Sequence, residues 1–486
     1  MTPCIGLNEI APFEWNQWQA RFPARLPDRC TPVFTLKGIH LATQGRISPA
    51  DRFLLWLYDV ILVMGAVIMS PVLLPLISTS EKYRRTLFQR LWMGNRASRR
   101  GRCPASRVWI HALSVGEIMA ASTLVANILD HDETIEIVFS VSTLSGFQTA
   151  RRVFGRQPVS IIFFPYDFSF SVRAAVRWVR PCAVILTETD IWPNFLAEMK
   201  RRDVPVNLIN LRLSDTTFHR YRKVKWVARK LFGAFSAICV QSAEDARRLA
   251  RLGVDADRVH VTGNIKFDNV PAEKMDRVCH QWRKRLQLNA RRKVVVAGST
   301  HPADEETLFQ AYTRLKAGGD RFLLVVAPRD PKRSDPVLAL FRSRGIRCRA
   351  LSGWPAQGSE KEPDVVVVDA FGVLKQLYAL ADVAFIGGSM GADGGHNPLE
   401  PAAWGKPIVF GPDMSDFRQI AAGLIQSGGA RQVTGFRELI HALRSLLANG
   451  TEAEAMGRNA LNVVNANQGA VRNTLVQLCV PKPLFR

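Results

Sequence analysis

Between residues 105 and 411, short runs of β-branched and other apolar residues alternate with amphipathic stretches, and the alternation starts twice. Runs at 108–112, 135–140, 160–164, 183–187, 206–210 and 237–241 make the first series. Runs at 294–299, 322–327, 365–368, 383–386 and 407–411 make the second. Stretches such as 118–129 and 244–252 carry apolar residues at helical spacing. Strands alternating with helices form βαβ units, which build parallel sheets with helices on both faces. An α/β chain is therefore expected, with two doubly wound, Rossmann-like domains facing each other across a cleft. The bounds read as 105–265 for the first domain, 266–290 for a charged helical linker and 291–465 for the second domain. A tail, 466–486, is free to pack back on the first domain. Ligands of such sheets sit beyond the carboxyl ends of strands, where strand order reverses. The turns that follow each strand are where chemistry is sought.

Ahead of this pattern lies an apolar run, 53–77, whose only charge is Asp59. Its 25 residues reach the length of a membrane helix. Pro71 and Pro75 interrupt it, so a tilted, broken or half-inserted anchor fits as well as a clean span. A buried core helix is the alternative. The run starts too late, and lacks the cleavage site, of a secretory signal. Lys82, Arg84, Arg85, Arg90, Arg96, Arg99, Arg100 and Arg102 follow, opposed by Glu81 alone. Positive flanks stay cytoplasmic and are drawn to anionic headgroups. Residues 51–104 are accordingly read as a membrane anchor with a basic juxtamembrane segment, and the proline-bearing 1–50 as a poorly ordered extension. Across the chain 65 Lys+Arg face 42 Asp+Glu, a net +23, which calls for an acidic partner: nucleic acid, an anionic membrane or a phosphorylated substrate. Eight scattered cysteines without a Cys-x-x-Cys pair speak against a zinc site and a disulfide framework.

Four strand-to-helix turns hold polar clusters. In 111–117 (HALSVGE), Ser114 and Glu117 have the spacing of a capping box, and Glu117 is equally placed to be a general base. In 187–194 (TETDIWPN), two carboxylates and a tryptophan stand at a strand end, either as chemistry or as a solvated loop. In 297–302 (AGSTHP), the small residues Ser299 and Thr300 would let a ligand approach a helix start, which is otherwise simply well capped. The turn 387–400 (GGSMGADGGHNPLE) carries five glycines in nine residues, whose amides could approach a phosphate. Asn397 as cap, Pro398 at the first position and Glu400 at the third explain the helix start that follows, but not the glycines. No GxxxxGK[ST] or GxGxxG pattern occurs, which removes support for nucleoside triphosphates and dinucleotides. His111, His301 and His396 lie in separate turns without metal-ligand spacing and read as polar turn residues.

Six motifs in order (114–117 SVGE, 188–194 ETDIWPN, 263–268 GNIKFD, 299–301 STH, 327–329 APR and 394–400 GGHNPLE) resemble the 3-deoxy-D-manno-octulosonate (Kdo) transferases of lipopolysaccharide assembly, over about residues 50–475. The resemblance implies a GT-B glycosyltransferase fold, with the acceptor on the N-terminal domain and CMP-Kdo on the C-terminal one. It implies Glu117 as general base, Glu188 and Lys266 as transition-state stabilisers, and CMP held by Pro328, Arg329, Phe371, Gly372, Val373, Asn397, Pro398, Leu399 and Glu400. The reaction implied is inverting and metal-independent, without cofactor. It moves Kdo to a bis-phosphorylated lipid A precursor, lipid IVA, at the cytoplasmic face of a bacterial inner membrane. Anionic lipid and acceptor phosphates then account for the positive charge, and nucleic acid is not needed. In one departure Val373 stands where the family has a glutamate toward the nucleotide. A catalytically silent or altered-donor relative, and a GT-B enzyme using a UDP-sugar, are the competing readings.

Overall fold

The computed structural model describes residues 48–92, 107–189, 191–269, 274–289, 291–354 and 362–478. The extension 1–47, most of the basic segment after residue 92, and Asp190 lie outside the described residues. Two compact units are present. One runs up to Asn269 and resumes at Asn467, and the other comprises Val270–Ala466.

The first unit is built on a seven-stranded sheet, all parallel, in the order β3-β2-β1-β4-β5-β6-β7. Its strands are β1 Arg107–His111, β2 Glu136–Val141, β3 Val159–Phe163, β4 Ala183–Thr187, β5 Val206–Leu211, β6 Ala237–Val240 and β7 Val259–Val261. β1 and β4 are buried at every position because they are covered on both faces, and β4 is apolar up to Thr187. Trp109 of β1 packs edge-on against Phe195 and beside Phe164, with its Nε1 donating to Ser140 Oγ at 2.8 Å. Strand order reverses between β1 and β4, which marks the expected ligand end of this sheet. The last described helix, Ala470–Gln477, belongs here: Asp268 accepts from Gly469 N at 2.6 Å and Val471 N at 2.5 Å.

The second unit repeats the plan with seven parallel strands in the order β10-β11-β9-β8-β12-β13-β14. They are β8 Lys293–Thr300, β9 Phe322–Pro328, β10 Cys348–Ala350, β11 Val365–Val367, β12 Val383–Ile386, β13 Ile408–Phe410 and β14 Ala430–Gln432. Order reverses between β8 and β12. Helix Met275–Arg285, expected as a linker, is part of this unit: Val278 and Trp282 are buried, and Trp354 Nε1 donates to Leu286 O at 3.0 Å.

The apolar run forms two helices, Pro49–Ile68 and Ser70–Thr79, bent by 45°. Neither alone is long and apolar enough to cross a membrane; the pair passes by length and composition together. Helix Pro49–Ile68 buries none of its residues fully, and Phe53, Trp56, Ile61, Val67 and Ile68 are exposed. It is therefore not a core helix.

Candidate active site

In the first unit, two carboxylates and a lysine meet at the carboxyl ends of the strands flanking the reversal. Glu117 stands in the first turn of helix Val115–His131, after β1. Its N–H donates to Ser114 Oγ at 3.2 Å, the cap the sequence suggests. The return bond differs from a capping box: Glu117 Oε2 accepts from Leu113 N at 2.8 Å, one residue before the cap. Thr187 Oγ1, at the end of β4, lies 2.9 Å from the same Oε2 and 2.9 Å from the His111 carbonyl. Capping and acid–base roles are thus compatible in one side chain. Burial pushes the Glu117 carboxyl above the ordinary glutamate range, and the neighbouring Glu188 charge adds to the rise. The hydrogen bonds from Leu113, Ser114 and Thr187 only partly oppose it.

Glu188 follows β4 with a left-handed backbone, φ +59°, unusual for a non-glycine residue and typical of strained functional turns. Glu188 Oε1 is 2.8 Å from Lys266 Nζ, and Asn210 Nδ2 approaches it at 3.5 Å. Lys266 lies in the 3-10 turn Ile265–Asp268, whose Ile265 N donates to Asn210 Oδ1 at 3.1 Å. Asp268 of this turn ties it to the returning C-terminal segment. The ion pair is partly buried and fixes the two side chains in place.

In the second unit, the glycine-bearing turn after β12 is braced by Asp304, in the first turn of helix Pro302–Ala317. This carboxylate is 0 % exposed and accepts four backbone N–H groups. His301 N (2.8 Å) and Gly388 N (2.6 Å) fall on Oδ2, with Met390 N (2.9 Å) and Ser389 N (3.2 Å) on Oδ1. Of this loop's amides, those of 388–390 donate to Asp304. Close packing calls for at least two of the glycines. A Cβ at Gly387 would lie 2.4 Å from Ser299 O, and one at Gly395, φ +71°, would lie 2.5 Å from Met414 Sδ.

The polar groups this loop presents are His396, Asn397 and Glu400. His396 Nε2 lies 2.9 Å from His301 Nε2, and His301 Nδ1 lies 3.2 Å from Asp393 Oδ1. Burial, with the Arg329 charge and His301, pushes His396 down to about 4, so it is neutral near pH 7. Asn397 Oδ1 accepts from Leu399 N at 3.1 Å, in the manner of a helix cap. Burial raises the Glu400 carboxyl, against the pull of Lys375, Arg329 and a hydrogen bond with Asn397. Arg329 thus lies in the field of both His396 and Glu400; its N–H donates to Thr300 O at 3.0 Å. Pro328, Pro398, Leu399 and Thr300 are buried, and the Thr300 hydroxyl faces Glu305 at 3.4 Å. Ser299, partly buried, has a left-handed φ of +56°. The turn before helix Leu374–Leu380 exposes Phe371 (61 %), bends at Gly372 with φ +86° and buries Val373 (6 %).

His111 is remote from the other two histidines in sequence and role: its ring stacks on Phe164, and Nδ1 meets Ser140. Among the described residues, no group of three or more His, Cys, Asp or Glu is arranged to hold a metal ion. Sequence reasoning missed Asp304, Asn210 and Thr187 as site residues. Asp304 was visible only as one of three consecutive acids at a helix start, and nothing local told which of them faces inward.

A family model described as 3-deoxy-D-manno-octulosonic-acid transferase (kdotransferase) matches residues 85–269. The chain is 30 % identical to a 3-deoxy-D-manno-octulosonic acid transferase of Haemophilus influenzae, over 82 % of this chain and 91 % of that protein. It is 32 % identical to one of Chlamydophila psittaci, over 79 % and 86 % respectively. Among solved structures, a UDP-GlcNAc 2-epimerase from Neisseria meningitidis aligns over 76 % of this chain and 99 % of its own at a TM-score of 0.50, with 13 % identity. That likeness concerns the fold alone: two parallel, doubly wound sheets of GT-B type.

Proposed function

Because the chain belongs to the 3-deoxy-D-manno-octulosonic acid transferase family and is thus a glycosyltransferase, we propose that it transfers Kdo from CMP-Kdo to a hydroxyl of lipid IVA, with inversion and without a metal ion. The observation that carries this is Glu117. It is a buried carboxyl whose pKa burial raises, set after β1 at the reversal of strand order and beside the Glu188–Lys266 pair. The acceptor hydroxyl oxygen attacks the anomeric carbon of Kdo, while the bond from that carbon to the CMP phosphate oxygen breaks. CMP leaves with the electron pair, and Glu117 takes the hydroxyl proton. When that proton arrives, the Thr187 hydroxyl can turn its own hydrogen to the His111 carbonyl and accept from Glu117, so the carboxyl keeps a partner in both states. Lys266, held by Glu188, stabilises developing negative charge. CMP is assigned to the second unit, where Arg329 and Lys375 supply positive charge beside Asn397 and Glu400.

The bent apolar helix pair is assigned to the inner membrane, with the catalytic units on the cytoplasmic face. The exposed Phe53, Trp56, Ile61 and Val67 support contact with lipid rather than water. The test is incubation of the full chain with CMP-Kdo and lipid IVA, read as CMP release and product mass, together with flotation on phosphatidylglycerol-containing vesicles. Transfer with co-flotation is expected. No CMP release from CMP-Kdo, with release from another nucleotide sugar, would favour the altered-donor reading that Val373 suggests.

A further inference from the structure

Asp59, the one charge inside the apolar run 53–77, is partly buried and hydrogen-bonded. Its Oδ1 accepts from Asn194 Nδ2 at 2.8 Å and Ser169 N at 3.3 Å, and its Oδ2 accepts from Ser169 Oγ. Asn194 is the second residue of helix Pro193–Arg201 and passes the contact on. Its Nδ2 also lies 2.5 Å from Asp167 O, and its N–H donates to Asp167 Oδ2 at 3.0 Å. Phe195 N donates to Asp167 Oδ1 at 2.9 Å. Eight residues before Asp59, on the same helical face, Asp51 pairs with Lys230 at 2.5 Å. Helix Pro49–Ile68 is thus held to the first unit at two points two turns apart, while Phe53, Trp56 and Ile61 stay exposed.

A segment serving only to hold a protein in lipid has no use for a carboxylate, which is costly in hydrocarbon unless paired. The partners here converge on the start of helix Pro193–Arg201, and that start closes the turn carrying Glu188. At its other end the turn is fixed by the Glu188 N–H donating to Ile209 O at 2.9 Å. We propose that Asp59 is a positioning residue: through Asn194 it fixes the start of helix Pro193–Arg201, so that docking of the apolar helix holds Glu188, a few residues before that start, on Lys266. The inference rests on the transfer reaction proposed above for its effect on rate, but its structural half can be read separately.

The experiment uses the full chain on phosphatidylethanolamine–phosphatidylglycerol vesicles, with Asp59→Leu, Asp59→Asn and Ser169→Ala. Asp59→Leu should bind vesicles at least as well as the parent and keep its KM for CMP-Kdo, while kcat falls roughly tenfold or more. Asp59→Asn should recover to within about threefold, since its amide oxygen still accepts from Asn194 Nδ2. Ser169→Ala, a milder change, should lower kcat about two- to fivefold and decides the matter if Asp59→Leu does not fold. Hydrogen exchange over amides 188–196 is read on the same samples and should rise in Asp59→Leu and Ser169→Ala. Unchanged exchange overturns the positioning role whether or not Kdo is transferred. A vesicle-bound Asp59→Leu within twofold of parental kcat overturns its effect on catalysis. Failure of the unaltered chain to transfer Kdo would instead sink the proposed reaction, leaving exchange to decide the coupling.

Discussion

Asp304→Asn is the substitution whose cost can be worked most directly from the site. The carboxylate takes four N–H donors, two on each oxygen, at a position with no solvent access. Asparagine keeps one acceptor oxygen and therefore two of the four bonds. Its amide nitrogen, itself a donor, faces the other two N–H groups and leaves them unsatisfied. Hydrogen bonds to a charged acceptor contribute about 1.5–3 kcal/mol each, so losing two costs roughly 3–6 kcal/mol. That is a large share of the 5–15 kcal/mol typical of a folded domain. The groups released are the backbone of 388–390 or the start of helix Pro302–Ala317, so the damage falls on the loop presenting His396, Asn397 and Glu400. Guanidinium unfolding followed through tryptophan fluorescence, with Trp282, Trp354 and Trp404 in this unit, should show its transition moved to lower denaturant. Titration calorimetry should show CMP affinity down at least tenfold. A stability change below about 1 kcal/mol with parental CMP affinity would refute the bracing role.

Further consequences are open to measurement. Glu117 must be ionised to take a proton, so kcat/KM should fall as pH drops through its raised pKa, with the acid limb above the range of an ordinary glutamate. Glu188→Gln removes the neighbouring negative charge and should move that limb to lower pH; an unmoved limb would detach Glu188 from Glu117. The same raised pKa has the opposite sign for stability: its contribution is present below the unfolded pKa and is lost as pH rises through the folded one. Gly298→Ala would place a Cβ 2.0 Å from Tyr378 Oη and should cost about 2 kcal/mol or more by overpacking, read in the same unfolding assay. Val373→Glu should tighten CMP binding several-fold in calorimetry if the nucleotide lies at this turn; unchanged affinity would place it elsewhere.

The strands that the sequence showed clearly are those buried on both faces. β1, β4, β8, β9 and β12 are near-continuous apolar runs, and their expected bounds fall within a residue or two of those observed. The strands it hid are β7, β10 and β14, each three residues long. β7 and β10 are edge strands, and β14 closes the far edge of the second sheet. Their sequences, VHV, CRA and ARQ, are short and broken by polar residues, and carry no apolar run to detect. Glu117 and Glu188 stand in turns after recognisable strands, β1 and β4, whereas Lys266 follows the hidden β7 and was named only through the family motif. Asp304 and Asn210 were not legible, because their roles come from backbone groups far off in sequence, met only after folding. Two of the five glycines, Gly387 and Gly395, are demanded by close packing against Ser299 and Met414, a need that the sequence does not distinguish from that of a ligand.

The account stands most directly on Glu117→Gln. The amide keeps the volume and can still meet Leu113 and Thr187, but cannot take a proton. Measured side by side, Kdo transfer from CMP-Kdo to lipid IVA should fall roughly 10²–10⁴-fold, while CMP affinity and thermal unfolding match the parent. A variant transferring Kdo at a near-parental rate would leave Glu117 a helix cap and take the proposed base away.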